Sequence, residues 1–442
     1  MGSKEIKIIL LSQLLSIFLG ICSLAFLSST TLHFFYVLIA SISLVIVPFC
    51  KKNGLVSPLS YFILSFFVFV WMRYLLHIFF SMSVISVGMG ITDTNLHLVA
   101  AYLGISANVI VIVSNLATCY FSEKPRMIFK QEYRMVVPKL IQYLILLCSL
   151  LAFGFFILDS VRKISIIRSS NYLMISETIL LQGYRYFSIG KHLLLLWLIF
   201  GNYKNRFFIA SSLLVVSSVG YLMRGARGYA IMYIFLWLLF FSLKRKIKLL
   251  PLVALGVALI VMANFILSYR LKGSVASGFG SILLSTLHSQ GASVESVFGS
   301  VVFHDTIAKE FSFLELFTRN DYGIVVDRVR GTGFERGGFG SSFFGEIYLG
   351  GIALSFCFLT IAGICIGFLE SAYNYIVKSK KASFYANLLL FMTVPNLVYL
   401  GRSSIKDFVM KCISTTVILL LLHTYTMYKE GRMMKTGGNK NG

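Results

Sequence analysis

Two stretches of this chain combine residue types able to bind and activate phosphate-linked groups. The first is Arg224-Gly225-Ala226-Arg227-Gly228. Two guanidiniums three residues apart share one helical face and offer fork-shaped donors to a phosphate, and the glycines let a phosphate approach the backbone. The plainer reading is a pair of arginines snorkelling to headgroups at a helix end. Against it stands the bias that clears arginine from short outer turns of membrane proteins. The second stretch runs from Gly331 through Arg336, Gly340, Ser341 and Ser342 into Phe343-Phe344-Gly345-Glu346-Ile347-Tyr348. A Gly-rich loop entering a helix offers unpaired backbone N–H groups to an anion. Arg336, Ser341 and Ser342 add side-chain donors, and Tyr348 is a further candidate ligand. Glu346 follows in the first helical turn, where a carboxylate serves either as a base toward a hydroxyl or as a simple complement to the helix dipole.

Isolated polar residues complete the set. Arg270 and Arg402 each follow an apolar run, and His304-Asp305 lies in a long polar segment. An adjacent His and Asp read either as a base with its orienting acid or as two solvated side chains. Arg73 sits inside an apolar run; such a charge is costly in lipid and is expected to face the bundle interior. No DxD, Walker A, HExxH or GxSxG pattern occurs, and none of the seven cysteines has CxxC spacing. No cofactor and no metal site is therefore expected, and an enzyme built here would activate a leaving group with arginines.

These residues are held by an unusually apolar chain. Of 442 residues 57% are hydrophobic and only 13% charged, with a mean hydropathy of +0.83. Soluble proteins carry about 25% charged residues, so a water-soluble enzyme, a disordered chain and a disulfide scaffold are excluded. The apolar runs are long and continuous, as in helices and unlike the alternation of barrel strands. Twelve such runs, near 7–27, 32–49, 59–80, 97–118, 139–158, 186–202, 207–223, 229–243, 249–269, 348–369, 383–401 and 407–427, predict an all-α polytopic membrane protein with about twelve crossings. The first run has no small-residue cleavage site, so it is expected to stay as a helix.

Charge sets the orientation. With the N-terminus in the cytoplasm, the inner segments hold 22 Lys and Arg against five acidic residues. The net charge of +23 is thus mostly membrane topology, and no nucleic-acid partner is expected. The whole chain reads as a single integral membrane domain, 1–442. Two outer segments escape the pattern, 159–185 and 270–348, the second nearly eighty residues long. Loops of that length are usually functional.

Many helices, one long late outer loop, the Arg-Gly turn at 224–228 and the Gly-Phe-Gly-Ser-Ser…Glu-x-Tyr-x-x-Gly entry at 338–351 resemble the Wzy-type O-antigen polymerases. The Arg–Gly spacing that some members repeat in two outer loops has no counterpart here. The resemblance implies a GT-C-like, metal-independent glycosyltransferase of the bacterial inner membrane, acting at its periplasmic face. Its donor would be a growing glycan on undecaprenyl pyrophosphate, and its acceptor a lipid-linked repeat unit. A chain-length regulator and a flippase would act in the same pathway. Under this reading Arg224 and Arg227 stabilise the leaving pyrophosphate and Glu346 serves the acceptor hydroxyl. Arg270, Arg336, Ser341, Ser342, Tyr348, His304, Asp305 and Arg402 contact substrate. Two rivals remain: an O-antigen ligase, and a lipid-linked oligosaccharide flippase, which would spread its charges along a central cavity.

Overall fold

The computed structural model describes residues 3–51, 55–85, 92–123, 137–169, 180–201, 203, 205–224, 227–245, 247, 249–271, 279–291, 293–319, 321–331, 342–379 and 383–437. All twelve apolar runs lie in helices. In order these are α1 (Ser3–Ala25), α2 (Thr30–Cys50), α3 (Pro58–Phe80), α4 (Asp93–Glu123), α5 (Lys139–Ser169), α6 (Leu180–Phe200), α7 (Arg206–Met223), α8 (Arg227–Ser242) and α9 (Leu249–Leu271). The long polar segment adds α10 (Phe279–Gln290), α11 (Ser293–Val302), α12 (His304–Glu310), α13 (Tyr322–Val329) and α14 (Phe343–Tyr348). The chain closes with α15 (Gly351–Ser379), α16 (Phe384–Val398) and α17 (Ile405–Gly437). Among the described residues seven helices are long and apolar enough to cross a membrane, namely α1 to α5, α7 and α15. Shorter apolar helices include α8, α11 and α16. The protein is thus an all-helical, polytopic membrane protein.

The surface of α5 shows why these helices need lipid. Leu140, Leu144, Leu147, Leu151, Phe155 and Leu158 recur every three or four residues, and each is more than half exposed except Leu144 at 50%. Such a stripe would be unstable in water and is what a bilayer solvates. Inside the bundle, packing replaces the hydrophobic effect. Gly363 and Gly367 of α15 press against α4 so closely that a Cβ would lie 2.7 Å from Val113 Cβ and 2.5 Å from the Ser114 carbonyl. Polar side chains join α1, α2 and α4 in turn. Asn108 Nδ2 donates to Ser16 Oγ at 3.0 Å, Ser43 Oγ donates to Asn108 Oδ1 at 3.0 Å, and Gln13 Nε2 donates to the Ser43 carbonyl at 2.6 Å. A π-helical turn at Phe67–Trp71 breaks the regular ladder of α3 and turns Arg73 inward, where it is 3% exposed.

In segments 159–185 and 270–348 most of the described residues are helical. Helix α5 runs eleven residues past the end of its apolar run, to Ser169, so Asp159 and Ser160 belong to a helix. In 270–348 the chain folds back: α11 is buried along nearly its whole length against α4, α13 and α14. The tie is a buried charge cluster. Glu295 on α11 accepts hydrogen bonds from both Arg73 on α3 and Arg330 at the end of α13, with Arg330 and Glu295 fully buried. Arg73 also donates to the carbonyls of His288 at 2.8 Å and Val84 at 2.9 Å. The acid that compensates the intramembrane arginine is therefore Glu295.

Candidate active site

Helix α14 is short because its ends are fixed from both sides. Gly345 lies flat on α11, where a Cβ would meet Ser300 Oγ at 2.8 Å. Ser342, fully buried, donates its hydroxyl to the Gly401 carbonyl at 3.2 Å. Gly351 then takes φ +80°, a left-handed turn with no steric neighbour to demand it, which redirects the chain into α15. These contacts set the two faces of α14, since side chains two residues apart on a helix point in nearly opposite directions.

On one face stands Glu346, 1% exposed. Its Oε2 accepts the backbone N–H of Ile405 at 2.7 Å. The carboxylate therefore caps α17, a different helix from its own, and complements the positive end of that helix. It lines a polar pocket of about 290 Å³ with Leu316, Arg319, Tyr322, Arg402, Ser404, Lys406 and Asp407. Arg319 is committed: it donates to Asp321 Oδ2 at 2.6 Å and Glu315 Oε1 at 3.0 Å and lies 4.6 Å over the Phe311 ring. This pairing acts in both directions. The Ser312 N–H and the Arg319 guanidinium hold the Glu315 carboxyl below its usual range, and Arg319 does the same to Asp321. Tyr322 pairs its hydroxyl with Ser300 Oγ at 2.5 Å, and burial, with Glu346 adding to it, pushes the phenol well above its usual value. It stays a neutral donor. Arg402 makes no side-chain hydrogen bond or ion pair among the described residues. The pocket thus sets an uncommitted guanidinium beside a buried carboxylate, with Asp407 exposed at its edge.

On the opposite face stands Tyr348. Its ring meets His304 edge-on at 5.6 Å and Tyr102 at 4.9 Å. His304 Nδ1 lies 3.1 Å from Asp305 Oδ1, while its Nε2 is buried with no partner among the described residues. Burial first, and the Asp305 charge second, raise the Tyr348 phenol above its usual value. The eighteen-residue motif thus supplies two clusters that the helix separates.

The Arg-Gly turn is built differently from a phosphate fork. Arg224 is fully buried. Its Nη2 donates to Asp159 Oδ2 at 2.5 Å, its Nε donates to Ser160 Oγ at 2.7 Å, and its guanidinium lies 4.9 Å from the Phe156 ring centroid. The partner acid is shared with Lys163 at 3.0 Å. Gly228 nevertheless approaches the segment that carries Arg402: a Cβ on it would lie 2.8 Å from the ring of Tyr399, three residues before Arg402. Arg336 and Ser341, and the side chains of Arg227 and Arg270, lie outside the described residues. The pocket also contains groups that the sequence reading passed over: Arg319, Tyr322, Lys406 and Asp407. Their one sequence signal is polarity at a helix start, Ser404-Ile405-Lys406-Asp407, just before an apolar run. Among the described residues no group of three or more His, Cys, Asp or Glu side chains is gathered as metal ligands.

Comparison with known proteins now decides the family. The profile of the O-antigen polysaccharide polymerase Wzy family matches residues 8–325, well over half of the chain. The chain belongs to that family. An O-antigen polymerase from Escherichia coli is 30% identical over 372 residues, which cover 82% of each chain. No solved structure matches. The family match ends before α14, so the assignment of roles to Glu346 and Arg402 rests on the geometry of the pocket.

Proposed function

We propose that this Wzy-family protein polymerises O-antigen repeat units, and that the Glu346–Arg402 pocket is where the glycosidic bond forms. The observation that carries the assignment of the site is the pairing, in one polar cavity, of a buried carboxylate with an arginine that no acid engages among the described residues. The donor is a glycan joined through C1 of its reducing-end sugar to undecaprenyl pyrophosphate. The acceptor is the terminal sugar of a repeat unit on a second carrier. The acceptor oxygen bonds to C1 as the bond from C1 to the phosphate oxygen breaks. The acceptor proton passes to a carboxylate, and undecaprenyl pyrophosphate leaves.

In this reading Arg402 meets the charge that grows on the leaving oxygen, and its planar fork suits a phosphate better than a lysine would. Glu346 orients the acceptor hydroxyl or takes its proton. Ser342 positions the Arg402 turn, and Arg224 positions the turn that carries Arg227. Tyr348, His304 and Asp305 bind sugar at a neighbouring subsite, and Arg227, Arg270, Arg336 and Ser341 complete the anion-binding rim. The reading extends to twelve crossings, a GT-C-like arrangement with the single domain 1–442, segments 159–185 and 270–348 at the periplasmic face of the inner membrane, and a chain-length regulator and flippase as pathway partners. Reporter fusions after Ser274 and Lys381 should read outside and inside respectively.

The test is chain extension by purified protein in lipid nanodiscs supplied with lipid-linked repeat units. Glu346→Gln preserves an oxygen for the Ile405 N–H while removing the base, so turnover should fall by about 100-fold or more with little change in acceptor affinity. Arg402→Ala should fall similarly, and Arg402→Lys should recover little. Near-normal polymer from both the Gln and Ala variants would remove the pocket from the chemistry. Transfer to lipid A core in place of a repeat unit would indicate a ligase, and translocation without extension a flippase.

A further inference from the structure

A second cavity of about 470 Å³ runs between α15, α16 and α17. Along α17 its lining recurs every three or four residues, from Phe408 through Thr415 and Leu419 to His423. Fifteen residues at the helical rise make the groove about 22 Å long. Leu389 of α16 and Phe368 of α15 close it from the other sides. It is a long, narrow, apolar channel between helices whose outer faces are lipid-exposed, as Leu420 at 58% and Leu421 at 66% show.

Its upper end adjoins the polar pocket. Asp407 lines the pocket and Phe408, the next residue, lines the groove; Lys411, one turn below Asp407, also lines the groove. Lys411 makes no hydrogen bond or ion pair among the described residues, and neither does Lys191 of α6, which lies close enough for the two charges to repel. Two half-buried ammonium groups thus approach one another inside a membrane bundle. An intramembrane cation that no acid pairs directly is costly unless an anion visits it. Two carboxylates, Asp407 one turn above Lys411 and Glu346 in the pocket, still leave an excess of positive charge around the neck once Lys191, Lys406 and Arg402 are included.

We propose that this groove holds the isoprenoid tail of a polyprenyl pyrophosphate, with Lys411 at the neck facing the pyrophosphate. A single linear chain of several isoprene units matches the length and the apolar walls. The two phosphates, carrying more negative charge than a phospholipid headgroup, match the surplus cations. The groove would then place the sugar–phosphate bond at the pocket mouth, beside Arg402. This assignment rests on the polymerase reading only in naming the lipid; the groove walls and Lys411 are distinct from the groups assigned to catalysis.

The experiment uses the full-length protein in nanodiscs and a polyprenyl pyrophosphate carrying a diazirine on its tail. After irradiation, peptide mapping should locate adducts between Phe408 and His423 of α17 or on the facing walls of α15 and α16. A tenfold excess of unmodified polyprenyl pyrophosphate should suppress labelling, and the same excess of phosphatidylglycerol should not. Lys411→Gln should weaken probe binding by about tenfold, as expected for one charge-assisted contact, while Lys411→Arg retains it. Adducts confined to other helices would overturn the proposal. So would equal competition by phosphatidylglycerol, which would make the groove an ordinary lipid crevice. Wild-type affinity in Lys411→Gln would overturn the assignment of the neck. The readout is labelling, so a protein that is labelled in the groove yet extends no chain would refute the polymerase reading and leave the groove intact.

Discussion

Replacing Glu295 by Gln tests how the segment between α9 and α15 is tied to the membrane bundle. The carboxylate is fully buried and carries one guanidinium on each oxygen, Arg73 from α3 and Arg330 from the end of α13. Glutamine is nearly isosteric, but it removes the negative charge and replaces one acceptor oxygen by an N–H₂ donor aimed at a guanidinium. Arg73 keeps its bonds to the His288 and Val84 carbonyls, so the larger loss falls on Arg330. Breaking a buried pair by removing one partner costs about 3–5 kcal/mol, a large part of the roughly 5–15 kcal/mol that holds a typical domain. The measurable result is lower abundance in membranes and a lower melting temperature in detergent, with α11 and α13 becoming open to protease. Replacing all three charges together, Arg73→Met with Glu295→Leu and Arg330→Met, should recover most of that loss, because no charge is then left buried alone. Wild-type melting of Glu295→Gln, or a triple variant no better than the single one, would refute the view that this cluster fastens the segment.

Two other outcomes follow from the same charges. Arg224→Ala should lower protein abundance, by roughly 3 kcal/mol of stability, because it leaves Asp159 and Ser160 without their buried donor; normal abundance with polymer lost would instead make Arg224 a substrate ligand, and a melting curve beside a chain-extension assay separates the two. The Arg319 cluster predicts a one-sided pH dependence. Glu315 and Asp321 are held below their usual values, so the stability they lend is fully present above the ordinary carboxylate range, about pH 5. It is lost only as the pH falls through the depressed values. Proteolysis of the 312–321 turn should therefore be flat from about pH 5 to 8 and rise in stronger acid, and Arg319→Gln should reduce the acid rise to the part that the Ser312 N–H sustains through Glu315.

The helices were legible because the bilayer leaves the backbone few alternatives, and every run of sufficient apolar length became a helix. The partners of the charges were not legible. Glu295 lies 222 residues from Arg73, Asp159 lies 65 from Arg224, and Ile405 lies 59 from Glu346. No local spacing encodes such pairs; tertiary packing chooses them. The placing of Asp159 in a loop is the instructive case. The apolar run ends at Leu158, but the helix does not, because Asp159 is stabilised by Arg224 and Lys163 once it is part of α5. Hydropathy marks where lipid contact stops, whereas hydrogen bonding decides where the helix stops.

The two faces of α14 suggest how one short helix serves two substrates. Polymerisation must hold two lipid-linked sugars at once, and a single cluster containing Glu346, Tyr348 and His304 would leave no room for both. The residues divide instead. Glu346 faces the cationic pocket, where under the proposed function it meets the acceptor hydroxyl beside the leaving group that Arg402 serves. Tyr348 faces His304 and Tyr102, an aromatic lining that under the same reading suits the face of a sugar ring. Gly345, between them, is pressed onto α11 so tightly that a Cβ would overlap Ser300. Helix α14 consequently cannot rotate to exchange its faces without breaking that contact. The spacing Glu-x-Tyr therefore does more than collect polar groups: on a helix pinned by a glycine, it fixes a carboxylate and a phenol ring on opposite sides of one turn.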